Sequence, residues 1–305
     1  MAYKEREKSY NLLMMESLSI RMELTMKQQY YYQNLLRGYK GERRFDKLTV
    51  KLEGNYLVLN DLPLKVDGRY FQIDTLIIGA KSVGVYEVKN YKGEYIFKGE
   101  GLYIASTDKN ILSPFNQLER LVTSIRQVLA ELGVHLPVSG FVAFVDPDMC
   151  LYQAPYRPEL LLPGKLEKHL AQVASQGAPL TTKHHDLALK LCERTVLEPP
   201  YKDLPEYTYE LLKKGVACAE CGSFQVALPS GKSRYCVCEK CGHQESVTKT
   251  ICRLVDEYRR LFPERMITST AIYEWCGGLF TKKRIRGVLG KYFRAVGTNR
   301  WVKYV

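Results

Sequence analysis

The segment YFQIDTLIIGAKSVGVYEVKNY constrains the fold most, because it reads as two apolar strands around one short turn. A turn at Gly79 to Ser82 pairs Ile78 with Val83, and counting outward sets Asp74 opposite Glu87. Opposed residues share a sheet face, with Cβ atoms about 4.5–5.5 Å apart, and Lys89 joins them because side chains alternate with period two. A slip of one residue would send Asp74 to the other face, so everything read from this hairpin depends on its register.

Two acids facing each other at the end of a face that otherwise holds Leu76, Ile78, Val83 and Val85 repel unless a cation lies between them. Oxygen ligands of this kind suit Mg²⁺ or Mn²⁺, with water completing the coordination, and Lys89 would hold a water or an anion beside the ion. The plainer reading is an ion pair between Glu87 and Lys89 at a solvated strand end.

Around the hairpin, residues 1 to about 48 are rich in Leu, Met, Gln, Glu and Lys without proline, and read as helix. YLVLNDLPL, EYIFKG, LYIAS and VSGFVAFVDP are further strands. SPFNQLERLVTSIRQVLAELG is the clearest helix, with a Ser113 cap, Pro114 in the first turn, and Leu118, Leu121, Val122, Ile125, Val128, Leu129 and Leu132 on one face. KLEKHLAQVA and HHDLALKLCERTV suggest two more helices; His184 and His185 in the second point different ways and read as surface residues. LEPPYKDLPEY looks like a linker.

GYKGERRFD, QIDTLIIG, VYEVKNYKGEY and SPFNQLER, in this order, resemble the nuclease-related domain family, NERD, of the PD-(D/E)xK nuclease group, over roughly residues 35 to 145. The resemblance implies a mixed sheet flanked by helices and metal-dependent cleavage of phosphodiesters. Asp74 and Glu87 resemble the metal-binding acids and Lys89 the active-site lysine. Glu42 resembles the acid on the first helix that leans over the site, and Gln117 the polar residue opening the helix after the sheet. No proline precedes Asp74; Ile73 stands there. On the residues alone, Glu42 in its ERR run is equally a surface glutamate, and Gln117 equally a group that completes backbone hydrogen bonds.

Cys218 and Cys221 in CAECG, then Cys238 and Cys241 in CEKCG, give two C-x2-C pairs separated by sixteen residues. Four thiolates fill a tetrahedral Zn²⁺ and leave no open position, so the expected zinc is structural, and the strand–turn–strand look of QVALPSGKSRYCV resembles a zinc ribbon. Cys236 and His243 stand near enough to compete as ligands. Cys150, Cys192, Cys252 and Cys276 read as small core residues.

The formal net charge is +12, and Ile251 to Val305 holds 12 Lys/Arg against 4 Asp/Glu. RLVDEYRRLF, STAIYEWC and TKKRIRGVLGKYF read as helices, and RAVGTNRWVKYV as a closing hairpin; the series resembles a winged helix. Ile285, Val288, Leu289 and Phe293 form the buried stripe of the third helix, behind a Thr281 cap. Lys282, Lys283, Arg286 and Lys291 then point outward, and with Arg300 and Lys303 on the hairpin form a candidate phosphate-binding surface. A solvated basic face or a protein-docking module is the alternative. Trp301 and Tyr304 read as hairpin core.

The expected organisation is therefore an α/β protein with a PD-(D/E)xK-like core. An N-terminal helical region (1–34) and the nuclease-like domain (35–195) are followed by a linker (196–214), a zinc ribbon (215–247) and a winged-helix-like domain (251–305). The expected partner is DNA, with RNA as a further possibility and no membrane. Nothing at the start reads as a signal peptide or membrane span, and a cytoplasmic location is expected. The rival to an enzyme is a nucleic-acid-binding adaptor that uses the nuclease fold only as a scaffold.

Overall fold

The computed structural model describes residues 2–52, 55–196, 204–297 and 302–304. The chain divides into two compact units. Unit 1 is Met1–Ser9 with Gln33–Pro199, and unit 2 is Tyr10–Tyr32 with Pro200–Val305.

The N-terminal stretch is not one helical region. Residues 5–9 are irregular, the helices α1 (Tyr10–Arg21) and α2 (Met26–Thr49) follow, and the segment contributes to both units. The break between the helices has a local cause in the sequence TMKQ. Thr25 Oγ1 accepts from Gln28 N at 3.3 Å while Gln28 Oε1 accepts from Thr25 N at 2.9 Å, a reciprocal cap that starts a new helix.

Unit 1 is built on a five-stranded mixed sheet ordered β1-β2-β3-β7-β9. Its strands are β1 (Leu57–Val66), β2 (Arg69–Ile78), β3 (Val83–Lys89), β7 (Val138–Phe144) and β9 (Leu160–Leu161). The first three pair antiparallel; β3, β7 and β9 run parallel. A second sheet, ordered β6-β5-β4-β8, holds β4 (Gly93–Lys98), β5 (Gly101–Ile104), β6 (Lys109–Ile111) and β8 (Met149–Tyr152). The helices α3 (Pro114–Glu131), α4 (Pro163–Ser175) and α5 (Thr182–Glu193) complete the unit.

Side-chain alternation sorts the main sheet into two faces. Leu76, Ile78, Val83 and Val85 pack with Leu118, Leu121 and Ile125 of α3 and Leu187 and Leu191 of α5. Ile77, Tyr86 and Val88 pack on the other side with Phe45 of α2 and Leu166 and Leu170 of α4. Both helical layers sit close because glycine permits it. A Cβ on Gly140 would meet Val122 Cγ2 of α3 at 2.6 Å, and one on Gly41 of α2 would meet Asn90 Cβ at 2.3 Å. The helix α3 begins at Pro114 as expected, with Ser113 in extended conformation at the cap, but the Ser113 side chain makes no capping hydrogen bond.

Unit 2 joins α1 to a three-stranded sheet, β10 (Val226–Ala227), β11 (Tyr235–Cys238) and β12 (Gln244–Ser246). To these it adds α6 (Val247–Leu261), α7 (Ser269–Trp275), α8 (Lys282–Tyr292) and the pair β13 (Ala295–Val296) and β14 (Lys303–Tyr304). Its core gathers Leu254, Tyr258, Ile272, Trp275, Ile285 and Leu289 with Met14 and Leu18 of α1. Arg21 at the end of α1 is buried there. It bonds Glu257 through Nε at 3.0 Å and Nη2 at 2.6 Å, and its guanidinium lies 3.9 Å from the Trp275 ring centroid. Tyr304 is buried as expected, whereas Trp301 and Arg300 lie outside the described residues. No described helix is long and apolar enough to cross a membrane.

Candidate active site

The hairpin adopts the register its sequence implies: Ile78 pairs with Val83, Leu76 with Val85 and Thr75 with Tyr86. The ladder stops at Thr75, one residue before Asp74. There the Asp74 carboxylate takes over the role of main chain, and its Oδ2 accepts from Val88 N at 2.7 Å. Asp74 and Glu87 thus stand where the β2–β3 ladder ends.

Lys89 links this end of the sheet to the first turn of α3. Its Nζ donates to Glu87 Oε1 at 2.5 Å and to Gln117 Oε1 at 3.0 Å, so Gln117 is aimed at the site rather than at its own helix backbone. Glu87 is 2 % exposed, and its second oxygen, Oε2, is buried without a hydrogen-bond partner. An ionised oxygen in that position is costly unless a positive group meets it.

Glu42 comes from α2, whose approach Gly41 allows, and its Oε2 accepts from Arg6 Nη1 at 2.8 Å. Arg6 was not visible in the sequence as a site residue. Its side chain is 1 % exposed; it also bonds Asp46 and reaches the Asp74 carbonyl at 2.7 Å and Thr75 Oγ1 at 3.1 Å. Asp46 lies four residues after Glu42, one helical turn along, in the same ERRFD run, a spacing that would have placed both acids on one face of α2. For Arg6 the sequence gives no comparable signal, since MAYKEREK is a mixed charge cluster. Asp61 is a further neighbour. It has φ 56° in β1, and its Oδ1 accepts from Gln72 Nε2 at 2.5 Å.

The three acids at this end of unit 1 are all raised above their ordinary values. Burial, with the Asp74 charge beside it, raises the Glu87 carboxyl to about 7 against the opposing pull of Lys89. Burial and Asp74 likewise raise Glu42 to about 8, opposed by Arg6. Burial raises Asp74 too, resisted by the Val88 N–H, Lys89 and Arg6. Lys89 is held above its ordinary value: burial alone would lower it, and Glu87, with Tyr91 and Asp74, more than reverses that. The lysine is therefore an ammonium donor here. The crowded acids favour a further positive charge, and the unbonded Glu87 Oε2 and the Asp74 carboxylate are oxygen donors of the kind that hard divalent cations take.

In unit 2 the sulfurs of Cys218, Cys221, Cys238 and Cys241 all lie within 4.8 Å of one another. The Cys218–Cys241 and Cys221–Cys238 separations are 3.7 and 3.6 Å. A tetrahedral Zn²⁺ with Zn–S near 2.3 Å has sulfur–sulfur edges of about 3.8 Å, so the set fits and could hold a zinc ion. Cys236 is outside the group, its sulfur accepting from Thr250 Oγ1 at 3.8 Å; His243 is outside it too, and its carbonyl accepts from Cys238 N at 2.9 Å. Of the remaining cysteines Cys276 is buried and Cys192 and Cys252 are half-buried, but Cys150 is exposed, contrary to a core role, because it lies on the short edge strand β8. His184 is not merely a surface residue: its Nδ1 accepts from Thr181 N at 2.9 Å and closes the cap of α5.

The basic helix α8 buries Ile285, Val288 and Leu289 as the pattern predicts, with Phe293 half-buried behind Thr281, whose side chain accepts from Arg284 N. Its cations divide. Lys283, Arg284 and Lys291 line a groove of about 520 Å³ with Thr248, Thr281 and Tyr292. Lys282 instead stands 5.2 Å from the Tyr273 ring centroid, and Arg286 is exposed outside the groove lining. Lys303 is exposed on β14. Arg284 joins this lining, outside the set of cations expected from the sequence.

Unit 1 is thus a mixed α/β domain that gathers acids and one lysine at the end of its central sheet. Residues 37–145 match the family model NERD, the nuclease-related domain. No curated protein and no solved structure matches the chain.

Proposed function

We propose that unit 1 is a Mg²⁺- or Mn²⁺-dependent nuclease that hydrolyses phosphodiester bonds of DNA. The observation that carries this reading is Glu87 Oε2, buried and unbonded, on a carboxylate that feels the Asp74 charge and whose other oxygen is held by the Lys89 ammonium. Asp74 and Glu87 would hold the ion, which when bound supplies a Lewis acid for the phosphate and an activated water. Lys89, fixed between Glu87 and Gln117, donates to the attacking water or to a phosphate oxygen and offsets the charge that develops on it. Gln117 keeps the ammonium directed into the site. Water adds to phosphorus, one P–O ester bond breaks, and the leaving oxygen takes up a proton.

The substrate would be held by unit 2. Lys283, Arg284 and Lys291 offer cations to successive phosphates, with Lys282, Arg286, Arg300 and Lys303 of the same winged-helix-like region as further contacts. The four cysteines would serve as a structural zinc ribbon that carries no open coordination position.

Incubating the wild type, Asp74→Ala and Glu87→Ala with plasmid and linear DNA in Mn²⁺, Mg²⁺ or EDTA tests the reading. Cutting by the wild type with Mn²⁺ or Mg²⁺, absent with EDTA and in both variants, is expected. Cutting that survives both substitutions removes the site assignment. DNA binding of equal strength by all three with no cutting by any points instead to an adaptor.

A further inference from the structure

We propose that Arg6 is a positioning residue that withholds Glu42 and Asp46 from the cation, so that one divalent ion binds on Asp74 and Glu87. The inference rests on the metal-site reading above and concerns a residue outside the span that matches the family model.

The N-terminal segment is built into unit 1. Tyr3 N and Lys4 N donate to the Val58 carbonyl at 2.8 and 3.2 Å, and Asn60 N donates back to the Lys4 carbonyl at 3.0 Å. Lys4 Nζ adds bonds to the carbonyls of Asn60 at 2.9 Å and Asp61 at 2.5 Å. This short parallel bridge to β1 fixes where residue 6 enters the fold.

From there the guanidinium is committed on every edge. Nε and Nη2 grip Asp46 in a fork, at 3.0 Å to Oδ2 and 3.0 Å to Oδ1. Nη1 takes Glu42 Oε2 at 2.8 Å, and Nη2 also takes the Asp74 carbonyl at 2.7 Å and Thr75 Oγ1 at 3.1 Å. Thr75 passes the chain of bonds on to Asn60 Oδ1 at 3.1 Å. A planar fork of this kind fixes direction as well as charge, which a lysine does not reproduce. Two consequences follow. An internal cation holds one oxygen of Glu42 and both of Asp46, and the main chain of Asp74 is anchored where the β2–β3 ladder has ended. The carboxylates of Asp74 and Glu87 have no guanidinium partner; Asp61 beside them is bonded by Gln72.

Mn²⁺ titration of the zinc-loaded full chain, followed by electron paramagnetic resonance without DNA, tests this. The wild type is expected to take up one Mn²⁺ at the site. Asp74→Asn and Glu87→Gln should weaken that binding at least about tenfold, while Glu42→Gln should stay within about threefold of wild type. Arg6→Met should release the α2 acids and admit a second, spin-coupled Mn²⁺. Arg6→Lys should not restore single-ion binding, because the fork is lost. Should Arg6→Met fail to fold, the Glu42→Gln arm decides alone. Glu42→Gln weakening Mn²⁺ as much as Glu87→Gln would make Glu42 a ligand and overturn the inference while leaving the metal site standing. A folded Arg6→Met that binds one Mn²⁺ with wild-type affinity would overturn it as well. If Asp74→Asn and Glu87→Gln leave Mn²⁺ binding unchanged, it is the metal-site reading that fails.

Discussion

The carboxylate end of unit 1 and the cysteine cluster of unit 2 both gather like groups, and they differ in what is left over. The four sulfurs lie within 4.8 Å of one another and form a complete tetrahedral set. At the sheet end, Glu87 Oε2 remains buried without a partner, and Asp74 has only a main-chain N–H on its Oδ2. A closed set can stabilise a fold but has no position for a reactant. An open one costs stability and leaves coordination positions for water and phosphate. The proposed structural role of the one cluster and the proposed chemistry of the other rest on this difference.

The largest effect should come from the open set. Asp74→Asn and Glu87→Gln should each lower the cleavage rate by about 10³-fold or more while the metal-free protein melts no lower than wild type, since each removes a crowded negative charge. Cleavage assays paired with thermal melts check this. A large drop in melting temperature with proportionate loss of activity would mean that the acids are structural, and the contrast between the two clusters would be lost.

Next in size is the closed set. Metal analysis should find about one zinc per chain, and Cys218→Ser should lose it together with protection of the β10–β12 sheet against hydrogen exchange. Exchange in β2 and β3 should be unchanged. EDTA concentrations that remove Mn²⁺ without removing zinc should stop cleavage with no unfolding at all.

The two clusters should also respond to pH with opposite sign. Glu87 and Glu42 are raised from 4.5 to about 7 and about 8, so between those values the folded state binds more protons than the unfolded chain. Metal-free unit 1 therefore loses stability as pH rises through that window, and Mn²⁺ should recover it at the upper end. Zinc on thiolates runs the other way, because protons compete for the ligands and stability is lost as pH falls. Melting curves of the zinc-loaded, Mn²⁺-free protein from pH 5 to 8, with and without the Glu42→Gln, Glu87→Gln double variant, separate the two. A slope that the double variant fails to flatten would locate the titration elsewhere.

These contrasts were unevenly legible in the sequence. The hairpin register that brings Asp74 and Glu87 to one end of the strand pair could be read because a tight turn at Gly79 to Ser82 and side chains of period two leave one register that buries both apolar rows. The four cysteines could be read because their spacing is itself the constraint. Arg6 could not, since its role arises from a bridge between residue 4 and Leu59, a contact that no local pattern encodes. The same non-local pairing hid the N-terminal division: helix propensity runs through the segment, and only the Thr25–Gln28 cap marks the break. On α8 the helical pattern gave the buried stripe correctly, but which exposed cations share a groove depends on Thr248 at the start of α6.

The smallest predicted effect tests that last point and extends the comparison to the substrate. Lys283 and Lys291 are eight residues apart on α8, two helical turns, and line one groove with Arg284, whereas Arg286 lies outside it. If the groove follows a phosphate backbone, Lys283→Ala and Lys291→Ala should each weaken DNA binding a few-fold, and each should reduce the salt slope of log K by about 0.7 to 0.9. Arg286→Ala should do less. The carboxylate variants, Asp74→Asn among them, should leave the salt slope unchanged. Fluorescence anisotropy with labelled DNA across a salt series resolves such differences. Equal losses at residues 283, 286 and 291 would mean that the helix acts as a diffuse basic face, and the groove would have no special part in holding the substrate.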